Sequence, residues 1–433
     1  MKYPKYPAYK DSGIEWIGEI PEHWTTVKLK NISSLSADYG LNIKAEDYSD
    51  NGVRFIRITD ITGDELATID AVYVPEKYAN TKKLLNGDIL FARSGATIGK
   101  SFLYNSAKHG ECTFAGYLVR FRLKPKNSAD FIYFFTKSTS YFSQVYSSSI
   151  SSTIDNFNGE KYSTLSVPLP PSEEQIPLTD SLNKTCFRIE LLISKQQKLI
   201  GLLKEKRQAI ITHAVTNGLD PNVPMKDSGI EWIGEIPEHW EVKRLKYCAH
   251  LVTEKGNHEL GQVALENIES WSGKYIQTET EFAGEGVRFR TGDVLFGKLR
   301  PYLAKVYHAK FPGEAVGEFF ILRPFSDVDS NFLFYWLINR EYINIIDSST
   351  YGAKMPRVDW DFMGNLPMAV PTQNEQLNIV DFLASETNKV DNLILKQQEM
   401  VDLLMEHKSS LISNAVTGKI DVRRLVKEVT TPA

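Results

Sequence analysis

The stretch Ser94–Ser101, SGATIGKS, comes closest to a chemical motif in this 433-residue sequence. It follows an apolar run and misses a phosphate-cradling loop by one residue, Ser94 standing where the first glycine belongs. No acidic strand accompanies it to hold magnesium. A plain surface hairpin fits the same residues, and so does a loop whose Arg93, Ser94, Thr97 and Lys100 meet nucleic-acid phosphates or bases. His258-Glu259 lacks the second histidine of a zinc-protease helix, and the eight histidines show no cluster spacing. Cys112, Cys186 and Cys248 lie far apart without a CxxC pair, which argues against zinc and a disulfide framework and fits a reducing compartment. No NPPY or DPPF tetrad, glycine-rich methyl-donor loop or GxSxG elbow occurs. Such a chain reads as a binding or assembly protein whose chemistry, if it serves any, lies in a partner.

The elements that position these loops are duplicated. Lys10–Trp24, KDSGIEWIGEIPEHW, returns letter for letter at Lys226–Trp240, 216 positions on. That period is far too long for a solenoid and marks two similar modules. The segment is turn-rich, and its indoles suit a core that pins a domain's first strand. Gly87–Arg93, GDILFAR, reads as a turn and a buried strand, and its mate Gly292–Lys298, GDVLFGK, is 205 positions on. Phe121-Arg122 and Leu322-Arg323 are 201 apart. Framework strands match while the segments between them diverge, as in related proteins that read different ligands.

The divergent segments carry the other candidates. Lys298, Arg300 and Tyr302 occupy the loop matching Arg93–Lys100, a basic pair in place of a basic pair. Arg57 and Asp60 end the β-like run Gly52–Asp60, with Asn267 the counterpart of Asp60. Asparagine suits bidentate adenine reading, but at a strand end it also forms turns. Lys354 and Arg357 lie in Ser348–Arg357 beside Tyr351 and Gly352, and Ser147–Thr153 is another polar stretch before a helix. Flexible polar loops are the alternative for both. Lysine and arginine bind phosphate without choosing a base, whereas a bidentate arginine chooses guanine.

After each module the composition changes. Ser172 with Gln175, and Thr372 with Glu375, have capping-box spacing. Long helices are predicted from there to about Val215 and Val416, with Pro177 tolerable near the start. The heptad seam of the first runs through Ile189, Leu192, Gln196, Leu199 and Leu203, and that of the second through Val390, Leu393, Gln397, Met400 and Leu404. The shared glutamine can fix register at some cost in stability. Each rod would be roughly 65 Å long. The helices either pack each on its own domain or face one another as a coiled coil, and the narrow seams favour the coiled coil.

This arrangement resembles the specificity subunit of type I restriction–modification enzymes. The resemblance rests on KDSGIEWIGEIPEHW, the GDILF strand, the P-x-x-EQ helix start and the KQQ-x-x-x-x-LL helices at Lys195–Leu203 and Lys396–Leu404. It implies an α/β (α+β) protein with internal pseudo-twofold symmetry. Two target recognition domains, residues 1–170 and 220–370, would be separated by spacer helices over 171–219 and 371–425 that form an antiparallel coiled coil. It implies double-stranded DNA as ligand, one half-site per domain, about one helical turn of 34–36 Å apart. It also implies two modification subunits docked on the helices, with restriction and translocation subunits as further partners. S-adenosylmethionine, and ATP with magnesium, would be bound by those partners and no cofactor by this chain. A duplicated protein–protein scaffold without a DNA role is the competing reading.

Composition agrees with a soluble chain, with 42% hydrophobic and 24% charged residues. No apolar run of about 18 residues predicts a membrane span. The start, MKYPKYPAYKDSG, lacks the apolar core of a secretory signal, and the resemblance implies a prokaryotic cytoplasm. A net charge of -4 excludes a uniformly basic nucleic-acid binder but leaves room for local basic faces.

Overall fold

In the computed structural model the chain is described over residues 3–149, 156–256, 260–278, 286–350, 352 and 354–423. It divides into two compact units, residues 1–195 with 400–433, and residues 196–399. In the first unit Ser33–Tyr39, Leu118–Leu123, Ile89–Ala92 and Ser101–Leu103 form, in that order, an antiparallel four-stranded sheet. Ala249–Val252, Phe319–Pro324, Val294–Gly297 and Val306–His308 repeat that order in the second. Each unit adds a small sheet with one parallel pair, Val53–Ile56 with Cys112–Phe114 and Gln262–Val263 with Gly313–Ala315. The third strand of the small sheet differs between units. Tyr73–Val74 joins Val53–Ile56, whereas Val287–Phe289 joins Gly313–Ala315. The fold class is thus mixed, with mostly antiparallel sheets.

The GD and FR signals meet as one buried pair in each unit. Asp88 is buried, caps Leu85 N–H at 2.8 Å and takes two bonds from Arg122 at 2.7 and 2.8 Å. Asp293 does the same with Arg290 N–H at 2.8 Å and with Arg323 at 2.8 and 2.7 Å. A carboxylate buried beside a planar fork is satisfied on both oxygens, and so tolerates its burial.

The duplicated opening segment forms a hairpin, Tyr9–Asp11 with Glu19–Pro21, matched by Met225–Asp227 with Glu235–Pro237. The strand that follows, Thr25–Lys28, pairs with Ser166–Leu169, the last strand before the first long helix. Glu241–Arg244 and Pro367–Val370 do likewise before the second. This brings Trp24 and Trp240, both fully buried, to the helix starts. Trp24 Nε1 donates to Glu174 at 3.2 Å and His23 Nε2 lies 2.9 Å from the same carboxylate. Trp240 and His239 hold Glu375 at 3.2 and 2.7 Å. The opposite indole edge faces the end of the other helix. A Cβ on Gly418 (φ 72°) would sit 2.2 Å from Pro21 and 3.2 Å from Trp24, and one on Gly218 (φ 76°) 3.2 Å from Trp240. Glycine is required there by both conformation and space.

The long helices span Ser172–Asn217 and Gln373–Val416, with Pro177 inside the first. The second start makes its predicted box, Thr372 N–H and Oγ1 donating to Glu375 at 3.2 and 2.7 Å. The first does not. Gln175 is buried and turned onto the domain, accepting from Ser128 N–H at 2.7 Å and donating to the Pro170 carbonyl at 3.0 Å. Gln376 has the matching bonds to Asp329 N–H and the Pro371 carbonyl.

Within each unit, stretches of the two helices lie antiparallel. In the first, Lys408 meets Glu190 at 2.5 Å while Ser181 Oγ donates to the Val422 carbonyl at 2.5 Å. Numbers therefore rise along one partner as they fall along the other. In the second, Arg207 meets Asp391 at 2.9 Å, and Ile211, Ala214 and Val215 share a core with Ile379 and Leu383. Residues 190 and 391, like 207 and 408, are 201 apart, so the two ion pairs are the same pair in two copies.

The seam is shifted from the predicted one at alternate positions. Ile189, Gln196, Leu203, Val390, Gln397 and Leu404 are buried or half-buried, as expected. Leu192, Leu199, Leu393 and Met400 are 40–46% exposed, and Ile193, Ile200, Ile394 and Val401 turn inward in their place. The inward steps are four then three, where the predicted seam took three then four, so the heptad spacing holds and only its phase is reversed.

Two expectations follow. Arg207 is nearly buried while Lys408 is partly solvated. Asp391→Asn should therefore cost about 3–5 kcal/mol, by stranding a buried charge, and Glu190→Gln about 0–1 kcal/mol, both measured by urea unfolding. Burial favours protonation of Glu375, but bonds from Thr372, His239 and Trp240 outweigh it and hold its pKa below the ordinary 4.5. A carboxylate whose folded pKa is depressed stabilises above its unfolded pKa. That contribution should fade as pH falls below 4.5, and Glu375→Gln should flatten this acid limb in a pH series of melting temperatures.

Candidate nucleic-acid interface

At the end of the central strand in each unit, three backbone segments cross. In the first, Arg93 N–H donates to the Tyr117 carbonyl at 3.2 Å, Phe157 N–H donates to the Arg93 carbonyl at 2.8 Å, and Ser94 bridges to Asn156. In the second, Lys298 N–H donates to the Glu318 carbonyl at 2.9 Å, Val358 N–H donates to the Lys298 carbonyl at 3.1 Å, and Leu299 bridges to Arg357. The frames coincide although their side chains do not. Backbone bonds set the frame, so the side chains on it are free to differ.

The second frame unites two segments that sequence kept apart. Arg300 N–H donates to the Pro356 carbonyl at 2.8 Å, so the 298–302 loop and the 354–357 loop form one surface. Arg300 and Lys354 are exposed and Tyr302 is 45% exposed. Lys298 lies 5.4 Å from the centre of the Phe320 ring. Arg357 reaches Glu318 through Nε at 3.1 Å and Nη2 at 2.8 Å. That bond, opposed by partial burial and aided by the arginine charge, lowers the Glu318 pKa. Arg300 (φ 51°) and Ala304 (φ 45°) are both left-handed and bracket the short turn Pro301–Leu303. Non-glycine residues hold that conformation only under constraint.

In the first unit Ser94 and Thr97 lie half-buried on the loop, with Thr97 Oγ1 donating to the Ser94 carbonyl at 2.9 Å. Arg93 stacks over Tyr39 at 5.2 Å. Ser94–Ser101 leads from strand through a short turn into the antiparallel strand Ser101–Leu103. No helix N-terminus follows to hold a phosphate, so the phosphate-loop reading fails.

Three predicted contacts turn inward. Lys100 Nζ donates to the Ile61 carbonyl. Arg57 forks onto Asp60 at 2.7–3.2 Å and donates to the Asp70 carbonyl at 2.9 Å. Asn267 is fully buried, accepting from Ala264 N–H at 2.7 Å and donating to Thr278 Oγ1 at 2.6 Å. Asp60 accepts from Arg57 N–H at 2.8 Å in the same way, so the two are matching turn formers. Reading adenine with Asn267 is thereby corrected. His258, Glu259, Tyr351, residues 150–153 and the tail from 424 lie outside the described residues. Sequence reasoning missed Tyr117, 63% exposed, and Glu318. Their offset of 201 places them together in the repeat, and their unlike chemistry was the available signal.

Residues 21–204 match the type I restriction modification DNA specificity domain. The chain is 26% identical over 444 residues to the putative type I restriction enzyme MjaX specificity subunit of Methanocaldococcus jannaschii, covering 94% of this chain and 96% of that one. The chain is related to the specificity subunits of type I restriction–modification enzymes. It is also 25% identical over 253 residues to the EcoDI specificity subunit of Escherichia coli, covering 53% and 56% of the two chains. With the EcoKI specificity subunit of Escherichia coli it shares 25% over 240 residues, covering 53% and 48%. The chain spans about half the length of these two curated relatives. Its fold is similar to that of a chain from a study of complex assembly and conformational transition of the type I R-M system. There the TM-score is 0.70 at 15% identity, covering 92% and 98% of the chains. The HsdS subunit from Thermoanaerobacter tengcongensis gives 0.53 at 15%, covering 93% and 98%.

Among the described residues no helix is long and apolar enough to cross a membrane, and no cluster of His, Cys, Asp or Glu could hold a metal. The helices of this specificity-subunit relative keep large apolar side chains in solvent. In the first unit these include Phe187, Leu191, Leu192 and Leu403, and in the second Leu199, Leu202, Leu393 and Leu395.

The Arg300 conformation gives a test that separates fold from binding. Arg300→Gly should leave the melting temperature unchanged or raise it, because relief of a left-handed non-glycine residue, about 1–2 kcal/mol, offsets the added chain entropy. The same variant should weaken DNA binding in an electrophoretic shift.

Proposed function

We propose that this chain is the non-catalytic sequence-reading subunit of a type I restriction–modification complex, one unit for each half of a bipartite DNA target. What carries the reading is the repeated frame. One backbone scaffold, built twice, presents Arg93, Ser94 and Tyr117 in one copy and Lys298, Arg300, Tyr302, Lys354 and Arg357 in the other. Unlike side chains on like frames suit two different half-sites. The exposed cations position DNA through its phosphates, while the differing polar groups select bases.

The helices would carry the partner subunits. Large apolar side chains stand in solvent beside the seam at Leu192, Leu199, Leu393 and Met400. Two modification subunits docked there would bring S-adenosylmethionine and methylate adenine. Restriction and translocation subunits would bring ATP and magnesium. A protein–protein scaffold without DNA would place apolar groups on the divergent loops. Arg300 and Lys354, exposed and without an acidic partner among the described residues, speak for nucleic acid.

Co-expression with the cognate methyltransferase subunit, followed by genome-wide mapping of methylated adenine, tests this directly. A split motif of two short half-sites is expected, and a stable complex on unmodified DNA would favour the scaffold. Affinity of the assembled complex should also fall steeply between about 50 and 200 mM salt, since each neutralised phosphate releases counterions. Binding indifferent to salt would remove the phosphate contribution.

A further inference from the structure

We propose that Arg300 is the specificity-determining residue of the second unit and reads a guanine in its half-site. This rests on the proposed sequence-reading role. The loop that carries Arg300 has the same length and closing bonds as its mate in the first unit. Ala92 N–H donates to the Lys100 carbonyl at 2.9 Å, and Gly297 N–H donates to the Lys305 carbonyl at 2.9 Å. Inside those bonds, Ile98 N–H donates to the Gly95 carbonyl at 3.2 Å, and Leu303 N–H donates to the Arg300 carbonyl at 3.0 Å. Each of these residues has its mate 205 positions on. The left-handed positions match too, Gly95 (φ 63°) with Arg300 (φ 51°) and Gly99 (φ 86°) with Ala304 (φ 45°).

Glycine suits this backbone, and the first unit uses it at both places. An arginine there is held against its own steric preference. Such strain persists at sites where a side chain is needed in one direction. A Cβ on Gly95 would meet nothing within 4 Å, so the position opens outward from the frame. Arg300 is exposed. Its root is fixed, with its N–H bound to the Pro356 carbonyl at 2.8 Å and its carbonyl bound by Leu303. Its guanidinium has no hydrogen bond or ion pair among the described residues. All five N–H donors are therefore available, and a parallel pair of them matches guanine O6 and N7 in the major groove. A phosphate asks only for a nearby cation, which the exposed Lys354 supplies without a left-handed backbone. A lysine is a point charge, whereas the planar arginine fork gains from a fixed direction. Gly95 has no side chain to offer, so the first unit reads its half-site without this contact.

The test uses the complete complex with its methyltransferase subunits. Adenine-methylation maps of the wild type, Arg300→Lys and Arg300→Gly are compared. Arg300→Gly installs the residue that the first unit carries at the same conformation, so the loop keeps its shape. Both variants should relax the requirement for one guanine in one half-site, by roughly ten- to a hundredfold, and leave the other half-site unchanged. The unchanged half-site reports that each variant folds and assembles. Binding supplies a readout even where a variant methylates nothing. 7-Deazaguanine at that guanine should weaken wild-type binding about tenfold and leave Arg300→Gly unaffected, since the contact is already gone. An Arg300→Lys map with its motif intact, at full or uniformly lowered methylation, would make Arg300 a bystander or a phosphate contact and overturn the inference. So would a wild-type motif without guanine on either strand of either half-site, or equal sensitivity of wild type and Arg300→Gly to 7-deazaguanine at every guanine. Absence of any bipartite motif in the wild type would instead sink the sequence-reading role itself.

Discussion

One indole in each unit holds both the start of one long helix and the end of the other. Trp24 bonds Glu174 in the first turn of one helix and packs against Gly418, just beyond the other. Trp240 does the same with Glu375 and Gly218. The hydrogen bond contributes about 1 kcal/mol, whereas truncating a buried tryptophan costs about 3–5 kcal/mol. Packing therefore dominates, and the bond sets direction. A group that grips one helix head and one helix tail admits only antiparallel neighbours. This explains why fifteen residues are identical in two modules whose loops differ widely. Hairpin, histidine, indole and the proline before them all serve a single joint, and a change in one is felt by two helices.

The helix seam shows the same constraint from the side. A free two-stranded coiled coil needs only a narrow stripe, which a three-and-four spacing supplies. Here the ends of the helices also cover a domain core, as Leu178, Leu182, Cys186 and Ile189 join Leu411, Ile412 and Ala415 around Phe131 and Tyr141. The buried stripe widens toward the domain, and between the ends its three-and-four spacing runs in the phase that leaves Leu192 and Leu199 outside. Those residues are costly in solvent at roughly 25 cal/mol per Å², so their presence argues for a third surface. The matched ion pairs sit where the stripe turns polar, and they are unequal. Arg207 also donates to the Trp271 carbonyl at 3.0 Å, whereas Lys408 is partly solvated. Copies of one joint have drifted in burial while keeping its geometry.

Sequence revealed what is periodic or repeated. The duplication, the strand pairs and both helices were legible because each rests on spacing, and spacing survives without coordinates. The candidate site was legible only in part. Arg300, Tyr302 and Lys354 face solvent, but Arg57, Lys100 and Asn267 are used up inside the domain, because a polar side chain at a strand end serves turns as readily as ligands. The Arg357–Glu318 pair spans 39 residues, and no local pattern announces a contact between one loop and the turn of another. Gln175 misled for a related reason. Its spacing from Ser172 suits a cap, yet a buried amide with two backbone partners, Ser128 N–H and the Pro170 carbonyl, outweighs one exposed cap bond.

The three-segment crossing shows how a fixed joint and a variable reader coexist in one domain. Its bonds are all main-chain: 93 to 117 and 157 to 93 in one copy, 298 to 318 and 358 to 298 in the other. Main-chain bonds ask little of the side chains they carry, so substitutions at 117, 156, 318 and 357 leave the frame intact. The joint at Trp24 and Trp240 is the reverse, since the bonds to Glu174 and Glu375 come from indole and imidazole side chains of defined shape. The molecule thus divides its residues by the kind of bond they make. At the tryptophan joint, where side chains hold the fold, the two copies stay identical, and where the backbone holds it they are free to become a tyrosine in one and a glutamate in the other.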